Sequence, residues 1–159
     1  MNKKNMFLYM LAICVLPTLS FSQAVKTFSF VEIDSLQEIE RRNLAVFIHA
    51  DWCMYCQAMK NRTFKNKDVI NLLNNYYYFV DFNAQTKKEI IFNGTEFNFE
   101  PTGKNIGYHK LAYVLGSQNG QLIFPGFVVL NWQNEIIFQY NSYIAPAEMK
   151  LILNRLNAD

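Results

Sequence analysis

Apolar and polar positions along this chain follow two periods, one typical of strands and one typical of helices. Short runs rich in β-branched and aromatic residues predict strands, whereas apolar residues spaced three or four apart predict helices. In the first half these patterns predict strands at Phe28–Ile33, Leu44–His49 and Tyr76–Phe82, a helix capped by Asp34 or Ser35 and ending near Arg41, and helices at Cys53–Lys60 and Asn66–Asn74. This order implies parallel strands joined by helical crossovers.

The second half begins with an irregular segment, residues 83–110, which is broken by several glycines and one proline. We expect it to form an insertion that packs through its phenylalanines. After it, the pattern predicts a helix over Tyr108–Leu115, a strand at Phe127–Leu130, a turn over 131–134, a strand at Glu135–Tyr140, and a helix that starts at Pro146 and continues over Ala147–Asn157. The two strands around the turn form an antiparallel hairpin.

Met1–Ser22 has the layout of an export signal. Its regions are the basic Lys3 and Lys4, the apolar Met6–Leu16 and the small residues of Ser20–Ser22. The apolar run is short for a membrane span. We expect cleavage before Gln23, which leaves one domain over residues 23–159 in the periplasm or outside the cell. A lipid anchor at Cys14 is the alternative, although Ile13 before it is bulky for such a site.

The charge of the chain does not favour a nucleic-acid partner. The formal net charge is +2 over the full sequence, and residues 1–22 contain two lysines and no acidic residue. The remaining chain is therefore neutral, and it has no cluster of Lys and Arg that would bind phosphates.

Cys53 and Cys56 stand where the predicted central strand gives way to a helix. Unpaired backbone N–H groups and the helix dipole favour a thiolate at the first of these positions. Cys56 lies about one helical turn further on, close enough to form a small disulfide with Cys53. An exposed, activated thiol beside a more buried one is the arrangement that thiol–disulfide exchange requires.

Other uses of a C-x-x-C motif fit less well. A structural zinc ion needs four ligands, and the remaining Cys and His residues are Cys14, His49 and His109, so we predict no metal site. Haem attachment needs a histidine directly after the second cysteine, where Gln57 stands. A purely structural disulfide stays open, because exported proteins form disulfides readily. It explains neither the strand-to-helix position nor the Trp52 before Cys53.

The motif Ala50-x-Trp52-Cys53-x-x-Cys56 after an apolar strand resembles the active site of the thioredoxin superfamily. It is most similar to periplasmic and secreted thioredoxin-like proteins, including the C-terminal domain of transmembrane thiol:disulfide interchange reductases. The resemblance extends from about Thr27 to the C-terminus. It implies an α/β thioredoxin-like fold with a central mixed β-sheet flanked by helices and an insertion before the strand that follows Pro125.

This resemblance also implies a function. Cys53 and Cys56 would be catalytic as a dithiol–disulfide couple, with no other cofactor, and the substrates would be proteins that contain disulfides. A membrane-bound electron donor is a further candidate partner. Two alternatives stay open: a disulfide oxidase or isomerase that uses the same cysteines, and a non-catalytic binding module with a structural Cys53–Cys56 bridge.

Further site residues follow from the resemblance. Trp52, Phe124 and Pro125 would bind substrate, and the Phe124–Pro125 peptide bond would be cis and face the cysteines. Family members usually carry Thr or Val where Gly126 stands here.

A second departure concerns the base for Cys56. Family members typically have a buried Asp six residues before the first cysteine, where this chain has Phe47. The resolving step then uses another base or water, or it is slower. His49, on the same strand face, and Asp51 are candidate modulators; the alternatives are a structural histidine and a loop carboxylate at the edge of the site. For His109 we expect a surface or helix-start residue, with a contact to the rim of the active site as the alternative.

Overall fold

The computed structural model describes residues 24–104 and 106–158, so the expected export signal and Cys14 lie outside the described residues. The helices are α1 (Phe30–Ile39), α2 (Met54–Asn61), α3 (Lys67–Tyr76), α4 (Lys110–Gly116) and α5 (Pro146–Ala158), with a 3₁₀ turn at Thr63–Lys65. The strands are β1 (Asn43–His49), β2 (Tyr77–Asn83), β3 (Ile90–Phe92), β4 (Thr95–Phe97), β5 (Phe99–Gly103), β6 (Ile106–His109), β7 (Ser117–Gln118), β8 (Gln121–Leu122), β9 (Gly126–Leu130) and β10 (Ile136–Tyr140). None of the helices in the described ranges is long and apolar enough to cross a membrane.

A four-stranded mixed sheet with the order β10-β9-β1-β2 forms the centre of the molecule. Strand β1 pairs parallel to β2 and antiparallel to β9, which pairs antiparallel to β10. Leu44–His49 is buried at every position because β1 has a neighbour on each side and helices over each face. The apolar run in the sequence therefore predicted the central strand correctly.

The helices cover the two faces of the sheet. On one face, Ala45 and Phe47 of β1 share an apolar cluster with Met59 of α2 and with buried residues of α3 and α5. On the other face, Val46 and Ile48 pack with buried residues of α1 and α4. Alternate residues of a strand point to opposite faces, so Cys53 and Cys56, which belong to the first cluster, lie over the same face as Phe47.

The prediction of a strand at Phe28–Ile33 is wrong. Helix α1 occupies most of this segment, and the strand is reduced to one bridge between Thr27 and Phe79. The helix starts at Ser29, whose backbone N–H and hydroxyl both donate to Glu32, 2.7 and 2.6 Å away. The capping box is therefore Ser29 and Glu32, six residues before the predicted one at Ser35.

The insertion consists of two small hairpins, β3–β4 and β5–β6. Asn93 and Gly94 form the first turn with φ angles of 49° and 67°, a conformation that Asn and Gly adopt most easily. Phe92 packs against Phe30 of α1, with the ring centroids 5.2 Å apart. The insertion is thus fixed to the face of the sheet that lies opposite the cysteines.

His109 begins helix α4 as predicted, but its side chain is fully buried instead of lying at the surface. Nδ1 accepts the Leu111 N–H at 3.3 Å, and Nε2 lies 3.1 Å from the Lys88 carbonyl oxygen. The ring packs edge-on against Phe82 in the cluster of α1 and α4. Burial lowers the pKa of His109, although hydrogen bonds to backbone carbonyls act in the opposite direction.

Candidate active site

The two cysteines lie at the start of α2 and form a disulfide with the Cα atoms 5.2 Å apart. Strand β1 ends at His49, and the Cys53 N–H donates to the Ala50 carbonyl in a tight turn. Cys53 is the N-cap of α2, and the Cys56 N–H donates to its Sγ at 3.1 Å. A backbone donor directed at the sulfur stabilises negative charge on Cys53.

The cysteines differ little in exposure. Cys53 is 4% exposed and Cys56 is fully buried, and both belong to the apolar cluster under α2. The expectation of an exposed first thiol is therefore too strong for this disulfide form. The turn from Ala50 folds Cys53 back onto this cluster.

Exposed apolar side chains surround the cysteines. Trp52, Met54 and Tyr55 are 63%, 82% and 65% exposed. The Trp52 ring packs edge-on against Phe124 at 5.7 Å, and Tyr55 lies 6.5 Å from Tyr143. Residues of this kind at the surface usually mark a place where another molecule binds.

The Phe124–Pro125 peptide bond is cis, as expected. Pro125 stands immediately before β9, whose first residue pairs with Ile48 of β1. The contact between Phe124 and Trp52 places this segment beside the Cys53 turn. Phe124 thus contacts Trp52 and packs against the apolar cluster that contains Cys53 and Cys56, and Pro125 follows Phe124 directly.

His49 belongs to a network of ionisable groups at the end of β1. Its Nε2 lies 2.9 Å from Asp81 Oδ1 and 3.0 Å from Lys60 Nζ, and Lys60 Nζ lies 2.9 Å from Asp81 Oδ2. Burial raises the pKa of the Asp81 carboxyl, but hydrogen bonds from His49 and Lys60 outweigh it and hold that pKa below its usual range. The Phe47 ring stacks on the His49 ring at 5.5 Å.

Asp51 lies outside this network. Its carboxylate accepts a hydrogen bond from the Asn83 side chain at 2.9 Å, and its backbone N–H donates to Gln85. It is an exposed carboxylate at the edge of the site, which anchors the loop after β1 to the segment after β2.

Sequence reasoning did not identify Asp81 or Lys60 as site residues. Asp81 lies opposite Phe47 in the parallel register of β1 and β2. A charged residue within the aromatic run of β2 was the available signal. Within residues 24–104 and 106–158, no group of three or more His, Cys, Asp and Glu side chains is arranged to hold a metal ion.

Comparisons with known structures support the fold. A thioredoxin from Thermus thermophilus is 19% identical, with a TM-score of 0.59, over 84% of this chain and 87% of that one. A disulphide isomerase from Xylella fastidiosa is 12% identical, with a TM-score of 0.53, over 90% and 98%. The reduced C-terminal domain of DsbD from Neisseria meningitidis is 12% identical, with a TM-score of 0.51, over 79% and 90%.

Comparison of the sequence itself gives the family. Among curated proteins, no sequence matches the chain. Residues 30–157 match the family described as thioredoxin-like domain. The matched range includes both cysteines, Trp52 and Pro125. The match and the cysteine pair fit thiol–disulfide redox activity. The chain therefore belongs to the thioredoxin-like domain family and carries the cysteine pair of a thiol–disulfide oxidoreductase.

Proposed function

We propose that this protein is exported and reduces or exchanges disulfides in other proteins through Cys53 and Cys56. The observation that carries the proposal is Cys53 at the N-cap of α2, bonded to Cys56 and receiving its backbone N–H. A structural disulfide needs neither this position nor exposed apolar residues around it. The layout of residues 1–22 supports export, with cleavage before Gln23.

The reaction has two exchange steps. In the dithiol form, the Cys53 thiolate attacks one sulfur of a substrate disulfide, and an intermolecular disulfide forms as the second substrate sulfur leaves and takes up a proton. Cys56, as a thiolate, then attacks Cys53 Sγ. The Cys53–Cys56 bond forms, and the substrate sulfur that was bonded to Cys53 leaves and takes up a proton. The substrate has then gained two electrons and two protons.

The apolar side chains around Cys53 indicate which substrate segments would bind there. Trp52 and Phe124 present aromatic faces beside Cys53, and Pro125 supplies a nearby backbone segment without an N–H. We expect an extended substrate segment with apolar side chains next to its disulfide. Trp52→Ala should raise KM for a protein substrate while it leaves the rate with a small disulfide nearly unchanged.

The environment of Cys53 favours the reductive direction. The side chains between the two cysteines, Met54 and Tyr55, carry no charge at neutral pH, and the hydrogen bond described at Cys53 Sγ comes from one backbone amide. Strongly oxidising dithiol–disulfide proteins owe their high reduction potential to a stabilised reduced form. We therefore expect the thiolate to be only modestly stabilised, which supports a reductase that a membrane-bound donor re-reduces.

The test is to trap the mixed disulfide. Cys56→Ser keeps the attacking thiol and lacks the resolving one, so it should accumulate covalent complexes with a disulfide-bonded protein such as insulin. Cys53→Ser is the matched control and should form none. Complexes should appear on a non-reducing gel and vanish after dithiothreitol. Equal trapping by both variants, or trapping by neither, would contradict the proposed mechanism.

A further inference from the structure

We infer that His49, held by Asp81 and Lys60, accepts the proton of the Cys56 thiol in the resolving step. This inference rests on the proposed function, because it concerns the second half of that reaction. A fully buried thiol has to lose its proton before it can attack Cys53. Phe47 cannot accept that proton, so the acceptor is either another group on this face of the sheet or water.

The hydrogen bonds of His49 restrict its tautomer. Nε2 is a donor if it bonds to the Asp81 carboxylate and an acceptor if it bonds to the Lys60 ammonium, and it cannot be both. Nδ1 is buried and has no hydrogen-bond partner. With the proton on Nε2, Nδ1 keeps only an unpaired lone pair, whereas the other tautomer buries an unpaired N–H. The first tautomer costs less, and it leaves Nδ1 as a proton acceptor.

The position of the ring connects it to the cysteines. His49 is two residues from Phe47 on β1, so both side chains lie on the face of the sheet that carries Cys56. Lys60, whose Nζ lies 3.0 Å from the ring, follows Cys56 by four residues on α2 and therefore lies on the same side of that helix. His49 is thus enclosed by the strand, the helix and β2, with its exposed side chain fraction at 7%.

The ring lies between two opposite charges. The Asp81 carboxylate from β2 is 2.9 Å from Nε2 and the Lys60 ammonium from α2 is 3.0 Å from it. The opposite residue of β2 in the register is the neutral Asn83, and on β1 itself the neighbour is Phe47. With a carboxylate at Nε2 and an unpaired Nδ1, the ring has the two sites that a proton-transfer group uses.

The proton balance of the step is simple. The Cys56 S–H bond breaks, and its proton passes to His49 Nδ1 directly or through one water molecule, while Asp81 stabilises the imidazolium. The Cys56 thiolate attacks Cys53 Sγ, and the departing substrate thiolate takes a proton from solvent. A cavity of about 310 Å³, lined in part by Phe47, Lys60 and Asp81, lies beside the network.

One reaction separates the two halves of the cycle. Reduced protein mixed with one equivalent of 5,5′-dithiobis(2-nitrobenzoate) releases a first thionitrobenzoate when Cys53 attacks and a second when Cys56 resolves the mixed disulfide. His49→Gln should leave the first phase unchanged and slow the second at pH 7 by about 100-fold, the lower end of what general bases contribute. The second phase of the variant should also keep rising with pH up to about pH 9, because hydroxide then replaces the ring, whereas that of the wild type levels off earlier.

Two further variants make the result decisive. Asp81→Asn keeps an acceptor for Nε2 but loses the charge, so its second phase should slow less than that of His49→Gln. His109→Asn, which replaces the other buried histidine on the opposite face, should leave both phases unchanged. The inference is overturned if the second phase of His49→Gln has the wild-type rate and pH profile. If His49→Gln does not fold, the same result in Asp81→Asn overturns it. Absence of the first phase in the wild type would instead contradict the proposed function.

Discussion

The two histidines of this protein differ in how their ring nitrogens are hydrogen-bonded. His109 uses both ring nitrogens, one to accept the Leu111 N–H and one towards the Lys88 carbonyl. His49 has Nε2 between two charges and leaves Nδ1 unpaired. Both rings are buried, but the hydrogen-bonding capacity is used fully in one and only partly in the other. We therefore assign His109 to stability and His49 to proton transfer.

The stability role of His109 predicts a dependence on pH. Its pKa in the folded protein is below the unfolded value of about 6.5, because burial disfavours the charged ring. The unfolded chain then binds more protons, so this contribution is complete above about pH 6.5 and is lost as the pH falls through the folded pKa. His109→Asn retains an N-cap acceptor but does not titrate.

Urea unfolding at pH 7.5 and pH 5 measures this effect. The free energy of unfolding should fall more for the wild type than for His109→Asn, so the difference between the two proteins narrows at pH 5. Carboxylates with lowered pKa, such as Asp81, are common to both proteins and cancel in the comparison. A difference that stays constant with pH would show that His109 does not carry the effect.

At the scale of the element, substitutions in helix α1 test whether Ser29 caps the start of this helix. Ser29→Ala removes the hydroxyl bonded to Glu32 at the N-cap and should destabilise the protein by about 0.5–2 kcal/mol. Ser35→Ala is the matched control, because Ser35 is exposed inside the helix and alanine favours helices there. Chemical denaturation of both variants decides the matter. A larger loss for Ser35→Ala would place the helix start where the sequence alone suggested it.

Helix α1 also shows why one element was not predicted. The segment Phe28–Ile33 alternates apolar and polar residues at its start, which fits a strand, and a segment this short fits a helix equally well. Ser29-x-x-Glu32 and Ser35-x-x-Glu38 both satisfy the capping-box pattern. Packing of Phe30 and Ile33 on the sheet decides between them, and that contact is tertiary.

At the scale of the whole molecule, the local signals were sufficient for the central architecture. Leu44–His49 and the cysteine motif specify a buried strand followed by an active-site helix, and Pro125 marks the segment beside it. The network around His49 was only partly predictable. Asp81 and Lys60 reach it through the register of β2 and the placement of α2, which depend on the assembled sheet.

The reduction potential of the Cys53–Cys56 couple tests the central claim most directly. The protein is equilibrated in glutathione buffers of defined ratio, quenched with acid, alkylated and weighed by mass spectrometry. If Cys53 is modestly stabilised, as we expect, the couple is reducing, with a potential more negative than about −220 mV and towards the roughly −270 mV of thioredoxin. A potential near the roughly −120 mV of a strong oxidase would contradict the reductase assignment, and failure to exchange with glutathione at all would leave only a structural disulfide.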